Sequence, residues 1–245
     1  VSIQIALGLV EPQSSGIAGG GFILHYDASA NELTSWDGRE TAPSAITPEI
    51  FSNRAGTLEG FIKAMTSTDA VGVPGIPALL ETVHKKYGRL DWADLFSPAI
   101  KLATEGFKIT SRLHYLLSAD SFIQNSPSAR SIYFIQPDDT DKISSDYSTK
   151  LKAKPIGTLI KNPEYAETLI KLAENGAKSF YVGENSKKII SDLADLNPKQ
   201  KLRQKDFSSY QAKQRDNLCL PYRTYKVCSM GPPSSGGVAL LQILG

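Results

Sequence analysis

Apolar residues recur with helical spacing along several stretches of the chain. Leu79, Val83 and Tyr87 follow one another at spacing four, Pro77 suits the first turn, and Gly88 ends the pattern. Because proline favours the start of a helix and glycine its end, these residues predict a helix here. Stripes of the same period predict further helices. Their apolar positions are Trp92, Leu95, Phe96, Ala99, Ile100 and Ala103; then Ala166, Leu169, Ile170 and Ala173; and then Ile189, Ile190, Leu193 and Ala194.

Small and polar residues predict where two of these helices begin and end. Asp91 can cap the second helix, which we expect to end at Gly106. Asn162 and the proline after it open the third helix, and Gly176 follows its last apolar residue. These stripes are read as core-facing helix surfaces.

A β-hairpin is predicted near the start of the chain. Residues 17–27 form a glycine-rich strand, residues 33–36 form a second strand, and residues 27–32 form the connecting loop. Glycines 19–21 leave one strand face bare, which lets another backbone or a ligand approach closely. Arg39 therefore follows the second strand directly, on an irregular segment.

The central part of the chain is polar. Residues 118–154 are rich in Ser, Asp and Pro and predict a long loop-rich region with at most short strands or turns. The chain has 245 residues, 41% of them hydrophobic, which is ample for a large core. Residues 1–9 read as the tail of an amphipathic helix, and residues 238–244 as the start of another. We therefore expect residues 1–245 to form a single incomplete domain.

Charge and composition argue against several classes of function. The net charge is +2 with acidic and basic residues mixed, so no basic stretch predicts nucleic-acid binding. The longest apolar stretches are too short to span a membrane. His25, His84 and His114 are too scattered to predict a metal site, and we expect no metal and no cofactor. The glycines lack the spacing of a phosphate-binding loop.

The two cysteines fall symmetrically about a possible turn. If Arg223 and Thr224 form a two-residue hairpin turn, Tyr222 faces Tyr225 and Cys219 faces Cys228. At a non-hydrogen-bonded position the two Cα atoms approach to about 4.5 Å, which a disulfide tolerates. A longer loop with the same pairing and two reduced, buried cysteines are alternatives. A disulfide would indicate an oxidising compartment.

Arg39 is the candidate binding residue. Its guanidinium is permanently charged and offers a planar fork of donors that matches a carboxylate. It lies in the segment Asp37-Gly38-Arg39-Glu40-Thr41-Ala42-Pro43, whose glycine and proline predict a rigid frame. An anionic substrate would suit this residue. The alternative is a structural ion pair with Glu40 or Asp37.

Several motifs occur together in a fixed order. This combination resembles the large-subunit signature of the γ-glutamyltranspeptidases, also called glutathione hydrolases, over nearly the whole chain. The motifs are EPQSSGIAGGGF at residues 11–22, DGRETAP at 37–43, GVPG at 72–75, YGRL with Trp92 at 87–92, FYVG at 180–183 and MGPPSSGG at 230–237.

The resemblance implies an α+β fold, namely part of the αββα sandwich of an N-terminal-nucleophile (Ntn) hydrolase, here the large-subunit half with a substantial helical portion. It implies a precursor that cleaves itself ahead of a threonine, which then attacks the γ-glutamyl carbonyl. By the same resemblance, Arg39 binds the α-carboxylate of the glutamyl group. The implied partners are a small subunit carrying the threonine, a donor such as glutathione, and water or an acceptor amino acid. Location in the periplasm or outside the cell is expected.

None of the threonines in this chain stands in the family's nucleophile motif, so no catalytic residue is assigned here. We expect the chain alone to release no product in a chromogenic γ-glutamyl-anilide assay. Either Ser235 or Ser234 is read as the cap of a helix starting near Gly237, and neither as a nucleophile, because the G-x-S-x-G spacing is absent. The alternatives are a related acylase for glutaryl or poly-γ-glutamyl substrates and a non-catalytic anion-binding module.

Overall fold

The structure is a computed structural model, and its described residues form two compact units. The described residues are 1–51, 57–120, 122–135 and 151–245. The first unit contains residues 1–16 and 90–176, and the second contains residues 17–89 and 177–245. The single incomplete domain expected over residues 1–245 stays a prediction.

The first unit is mainly helical. Its helices are α1 (Ser2–Val10), α4 (Ser97–Glu105), α5 (Ser111–Ala119), α6 (Pro127–Tyr133) and α7 (Pro163–Asn175), and its two short strands are β3 (Phe107–Lys108) and β4 (Leu159–Ile160). Helix α4 packs between α1 and α7. Leu9, Ala103 and Ala166 are buried together at this contact. A second buried cluster includes Leu113, Leu117 and Phe134.

The predicted helix after Asn162 is confirmed. The Asn162 side chain accepts a hydrogen bond from the Tyr165 N–H, and Gly176 follows the helix with φ of 68°. Leu169 is buried as expected, but Ile170 is 38% exposed.

The Asp91 cap is wrong. Residues 93–96 form a 3₁₀ turn, and α4 begins only at Ser97. Pro98 has no N–H to donate to the carbonyl of Asp94, so a continuous α-helix through this point would lose that hydrogen bond. The predicted apolar stripe persists across the break, because Phe96, Ala99 and Ala103 are all buried.

Part of the region predicted to be loop-rich is helical. Helix α6 begins after Ser126, whose side chain accepts a hydrogen bond from the Ala129 N–H, and Pro127 occupies its first turn. Tyr133 at its end is buried. A serine cap followed by proline is a helix start signal, which the polar composition of the region obscured. Residues 136–150 of that region lie outside the described residues.

The second unit combines helices with two antiparallel sheets. Its helices are α2 (Leu58–Met65), α3 (Ile76–Tyr87), α8 (Lys178–Val182), α9 (Glu184–Leu196), α10 (Gln204–Ser208) and α11 (Ser235–Leu244). Its strands are β1 (Gly21–Asp27), β2 (Glu32–Gly38), β5 (Lys213–Arg215), β6 (Asn217–Tyr222) and β7 (Tyr225–Met230). Strand β2 lies between β1 and β5, and β6 pairs with β7. Helix α3 packs on β2 with Leu79 against Gly38.

The first hairpin matches its prediction apart from the start of its first strand. Strands β1 and β2 pair from Gly21 with Gly38 to Asp27 with Glu32. Residues 17–20 lie outside the strand. The Gly19 carbonyl accepts hydrogen bonds from the N–H groups of Gly75 and Ile76 at the start of α3. That carbonyl satisfies helix N–H groups and is not used in a β-ladder.

The second hairpin has the predicted register. Tyr222 pairs with Tyr225 and Cys219 pairs with Cys228. Arg223, the first turn residue, has φ of 54°, as a tight two-residue turn requires.

Candidate functional site

An open cleft lies beside the end of β2 in the second unit. Its volume is about 560 Å³. It is lined by Ala18, residues 39–43, Ile46, Phe51 and residues 69–72. Most of the segment Asp37–Pro43 therefore forms one wall, and Arg39 is the cation among these lining residues.

The backbone of Arg39 is held on both sides. Its N–H donates to the Asp37 carboxylate, with 2.8 Å between N and Oδ1. Its carbonyl accepts a hydrogen bond from the Tyr210 hydroxyl at 2.7 Å. Burial, together with the negative charges of Asp37 and Glu40, raises the pKa of Tyr210 to about 12. The hydroxyl is therefore protonated at neutral pH and serves as a donor.

Asp37 is itself fixed by an arginine distant in the sequence. Arg215, in strand β5, donates from Nε at 3.0 Å and from Nη2 at 2.9 Å to Asp37 Oδ2. The Asp37 side chain is only 7% exposed, so its charge needs such a partner. Its two oxygens thus divide their roles, because Oδ2 binds Arg215 while Oδ1 binds the Arg39 backbone.

The guanidinium of Arg39 lines the cleft and also contacts a neighbouring acid. Nε lies 3.4 Å from Glu40 Oε2, and the Arg39 side chain is 61% exposed. Nε is one of three guanidinium nitrogens, and an ion pair at this exposure contributes little to stability. The two sequence interpretations therefore coexist, since Arg39 pairs with Glu40 and faces the cleft. The role of Arg39 in binding substrate stays a proposal.

Glu40 is held close to the glycine-rich segment before β1. A Cβ atom added at Gly20 would lie 2.3 Å from Glu40 Oε2 and 2.8 Å from the Glu40 backbone nitrogen. The absence of a side chain at Gly20 thus allows the carboxylate to approach. A close approach at glycines 19–21 was predicted on the face of a strand, whereas Gly20 lies before β1.

Two further contacts hold the rest of the wall. Thr41 and Val73 exchange backbone hydrogen bonds of 3.3 and 2.8 Å. Asp206, in helix α10, accepts from the Ser44 N–H at 3.0 Å. Burial disfavours the Asp206 carboxylate, but hydrogen bonds from Ser44 and the Arg203 N–H outweigh it and hold the pKa of Asp206 below its usual range.

The other singled-out residues lie outside the cleft lining. Cys219 and Cys228 form a disulfide in the β6–β7 hairpin. Ser234 stands at the N-cap position of α11, but its side chain makes no capping hydrogen bond among the described residues. His25 stacks on Tyr87 with ring centroids 3.8 Å apart. Among the described residues, no group of three or more His, Cys, Asp or Glu side chains could hold a metal ion.

Three residues that hold the site were not found from the sequence. Tyr210, Arg215 and Asp206 lie far along the chain from the segment that they contact. Their hydrogen bonds follow no local period, and strand β5 is polar and exposed throughout. Gly75 lies in the GVPG motif at residues 72–75, but the sequence does not show that it packs against Gly38 and Tyr210.

Comparison with known proteins identifies the family. The family model for gamma-glutamyltranspeptidase matches residues 1–245. The chain belongs to the gamma-glutamyltranspeptidase family. Its fold is the corresponding part of the Ntn-hydrolase fold, because it superimposes on γ-glutamyltranspeptidase from Helicobacter pylori with a TM-score of 0.82 and 32% identity, over 99% of this chain and 65% of that one.

Two curated relatives extend this similarity. Glutathione hydrolase 2 of Arabidopsis thaliana is 34% identical over 245 residues, which are 100% of this chain and 38% of that protein. The glutathione hydrolase proenzyme of Bacillus subtilis (strain 168) is 32% identical over 244 residues, which are 100% of this chain and 39% of that protein. The chain therefore spans less than half the length of these γ-glutamyltranspeptidase relatives. Among the described residues, no helix is long and apolar enough to cross a membrane.

Proposed function

We propose that this chain is the large-subunit part of an enzyme that hydrolyses or transfers γ-glutamyl groups, and that Arg39 binds the α-carboxylate of the donor. The observation that carries the proposal is the placement of Arg39. Its guanidinium lines a cleft of about 560 Å³, while its backbone is fixed by Asp37 and Tyr210. A guanidinium carried by a fixed backbone at a cleft wall suits a planar carboxylate.

The charges of the cleft support an amino-acid head group as ligand. Arg39 supplies one positive charge, and Glu40 and Asp69 supply negative charges among the lining residues. An α-amino acid carries a carboxylate and an ammonium group on one carbon atom. A cleft with both signs of charge matches this zwitterion better than it matches a simple dicarboxylate such as a glutaryl group. The γ-glutamyl end of glutathione has this chemistry.

The proposed reaction needs a second component. A precursor that cleaves itself would yield this part and a small subunit with an N-terminal threonine, whose hydroxyl attacks the γ-carbonyl while its amine accepts the proton. The γ-glutamyl C–N bond would then break, and the donor's amine would leave with that proton. Water or an acceptor amino acid would cleave the resulting glutamyl ester, which restores the threonine hydroxyl and releases glutamate or a new γ-glutamyl amide. The role of this chain is to bind and orient the donor.

The disulfide supports a location outside the cytosol. Disulfides persist in oxidising compartments and are rare where thiols are kept reduced. The Cys219–Cys228 bond is consistent with a periplasmic or secreted enzyme.

The test uses the complete enzyme with its small subunit and a chromogenic γ-glutamyl anilide. Replacing Arg39 by Ala removes a charge-assisted pair of hydrogen bonds worth about 1.5–3 kcal/mol, so KM should rise roughly 10- to 150-fold. Arg39→Lys keeps the charge but not the planar fork of donors, so its KM should lie between those of the wild type and Arg39→Ala.

An α-carboxamide analogue of the same donor is the matched control. It lacks the charge that Arg39 is proposed to bind, so Arg39→Ala should change its KM little. An unchanged KM for the carboxylate donor would contradict the proposal, as would equal increases for both donors.

A further inference from the structure

We infer that Tyr210 and Arg215, which lie outside the Asp37–Pro43 segment, are positioning residues that hold Arg39 for substrate binding. The inference rests on the proposed function, because both residues would act through the Arg39 side chain. Tyr210 lies 171 positions from Arg39, and Arg215 lies 178 positions from Asp37.

Tyr210 fixes the peptide that follows Arg39. Its hydroxyl donates to the Arg39 carbonyl at 2.7 Å. Arg39 lies just beyond strand β2, so no sheet partner among the described residues holds this carbonyl. The tyrosine replaces the missing β-ladder contact.

The Tyr210 hydroxyl is itself held in place. Its ring stacks on Tyr181 with centroids 5.5 Å apart and planes within 2° of parallel. The Tyr181 hydroxyl donates to the Pro74 carbonyl at 2.7 Å and accepts from the Ala78 N–H at 3.2 Å. A Cβ added at Gly75 would lie 2.3 Å from the Tyr210 hydroxyl oxygen, so glycine there leaves room for it.

Arg215 fixes the peptide that precedes Arg39 indirectly, through the Asp37 carboxylate. Both of its hydrogen bonds go to Asp37 Oδ2, which leaves Oδ1 to accept from the Arg39 N–H. Without Arg215 the buried carboxylate would lose its cationic partner and could rotate toward other donors. Strand β5 positions Arg215 beside Asp37, since Arg215 pairs with Ser35 on β2.

The two contacts together restrict the backbone of Arg39. With the peptides before and after it fixed, φ and ψ of this residue are set, and so is the direction of its Cα–Cβ bond. When a ligand binds the exposed guanidinium, only rotation about the side-chain torsions of Arg39 then remains to be restricted. Holding a binding group in place before the ligand arrives improves affinity by lowering this ordering cost.

The test measures KM and kcat of the complete enzyme with the γ-glutamyl anilide. Tyr210→Phe keeps the stacked ring and removes only the hydroxyl, so KM should rise about three- to tenfold while kcat stays within about twofold. Arg215→Gln should act in the same direction, and Arg215→Lys should recover part of the loss. In an Arg39→Ala background, Tyr210→Phe should have no further effect on KM.

Tyr133→Phe is the matched control. Tyr133 also donates its hydroxyl to a backbone carbonyl, that of Leu9 at 2.9 Å, but Leu9, unlike Arg39, is not part of the cleft lining. The hydrogen bond of Tyr133 is buried whereas that of Tyr210 is exposed, so Tyr133→Phe should lower the melting temperature at least as much as Tyr210→Phe and leave KM unchanged. A merely structural role of Tyr210 would make the two variants behave alike in the kinetic assay.

The outcomes separate this inference from the proposed function. If Arg39→Ala raises KM but Tyr210→Phe and Arg215→Gln do not, the positioning role is overturned, while the proposed binding of the α-carboxylate by Arg39 stands. An equal KM increase from Tyr210→Phe with and without Arg39 also overturns it. If Arg39→Ala itself leaves KM unchanged, the proposed function fails first.

Discussion

Asp206 accepts a hydrogen bond from the backbone N–H of Ser44, 162 positions earlier in the chain, at 3.0 Å. Its other oxygen accepts from the Arg203 N–H at 2.8 Å, and the Asp206 side chain thereby joins the start of helix α10 to the segment that leaves the cleft wall. Asp206 is 7% exposed. One side chain thus satisfies two backbone donors.

Asp206→Asn should destabilise the protein at neutral pH and much less in acid. Asparagine keeps one acceptor and places an amide group against the second backbone N–H, so the loss should be about 1–3 kcal/mol at pH 7. Because the pKa of Asp206 is lowered in the folded protein, its stabilisation is present above the unfolded pKa of about 4 and is lost as pH falls through the lower folded value.

Urea unfolding followed by circular dichroism at pH 7 and near pH 3 measures this difference. The difference in the free energy of unfolding between wild type and Asp206→Asn should be smaller at the lower pH. A gap of equal size at both values would show that ionisation of Asp206 does not contribute. Asp195, which is exposed on helix α9, offers a control in Asp195→Asn, and we expect a change below about 0.5 kcal/mol there.

The Cys219–Cys228 disulfide should contribute measurably to stability. The cysteines are 9 positions apart, and closing a loop of that length restricts the unfolded chain by about 2.5 kcal/mol. Reduction, or the double change Cys219→Ser with Cys228→Ser, should lower the free energy of unfolding by about that amount.

Thiol titration checks the bond directly. Protein isolated from an oxidising compartment should show no free thiol when denatured, and two thiols after reduction. The double serine variant should be insensitive to reductant. Two free thiols before reduction would contradict the bond.

Features that depend on local sequence were predictable. The helix from Pro163 to Asn175 has a capping asparagine, a proline in its first turn and a terminal glycine, so its start and end follow from local signals. The apolar spacing located only part of its buried face, because Ile170 is exposed and the buried Leu172 was not predicted. The register of the β6–β7 hairpin followed from symmetry about Arg223 and Thr224. The position of Arg39 just after a strand followed from the pattern before it.

Features that depend on distant partners were not predictable. Strand β5 is polar and exposed on all three residues, so no alternation marks it, and it is a strand only because β2 pairs with it. The Tyr210–Arg39 and Arg215–Asp37 hydrogen bonds join segments that only the tertiary fold brings together. A candidate binding residue could therefore be named from sequence, but not the residues that hold it.

Gly75→Ala should be strongly destabilising because the space beside this glycine is already filled. An added Cβ would lie 1.9 Å from the Gly38 carbonyl oxygen and 2.3 Å from the Tyr210 hydroxyl. The Gly38 carbonyl belongs to the end of β2 and cannot move without displacing the strand, so we expect a loss of about 1–3 kcal/mol. The same methyl group would displace Tyr210, so KM for a γ-glutamyl donor should rise as well.

Gly236→Ala is the matched control for this substitution. Gly236 lies in helix α11, where the nearest atom to an added Cβ is the Ser234 Oγ at 3.7 Å, an ordinary contact distance. Alanine is preferred to glycine within a helix, so this variant should gain up to about 1 kcal/mol. Denaturant titration of both variants compares them. Equal stability of Gly75→Ala and wild type would show that β2 and helix α3 can separate at this point, and the close packing of Gly75 against Gly38 would then not constrain the cleft wall.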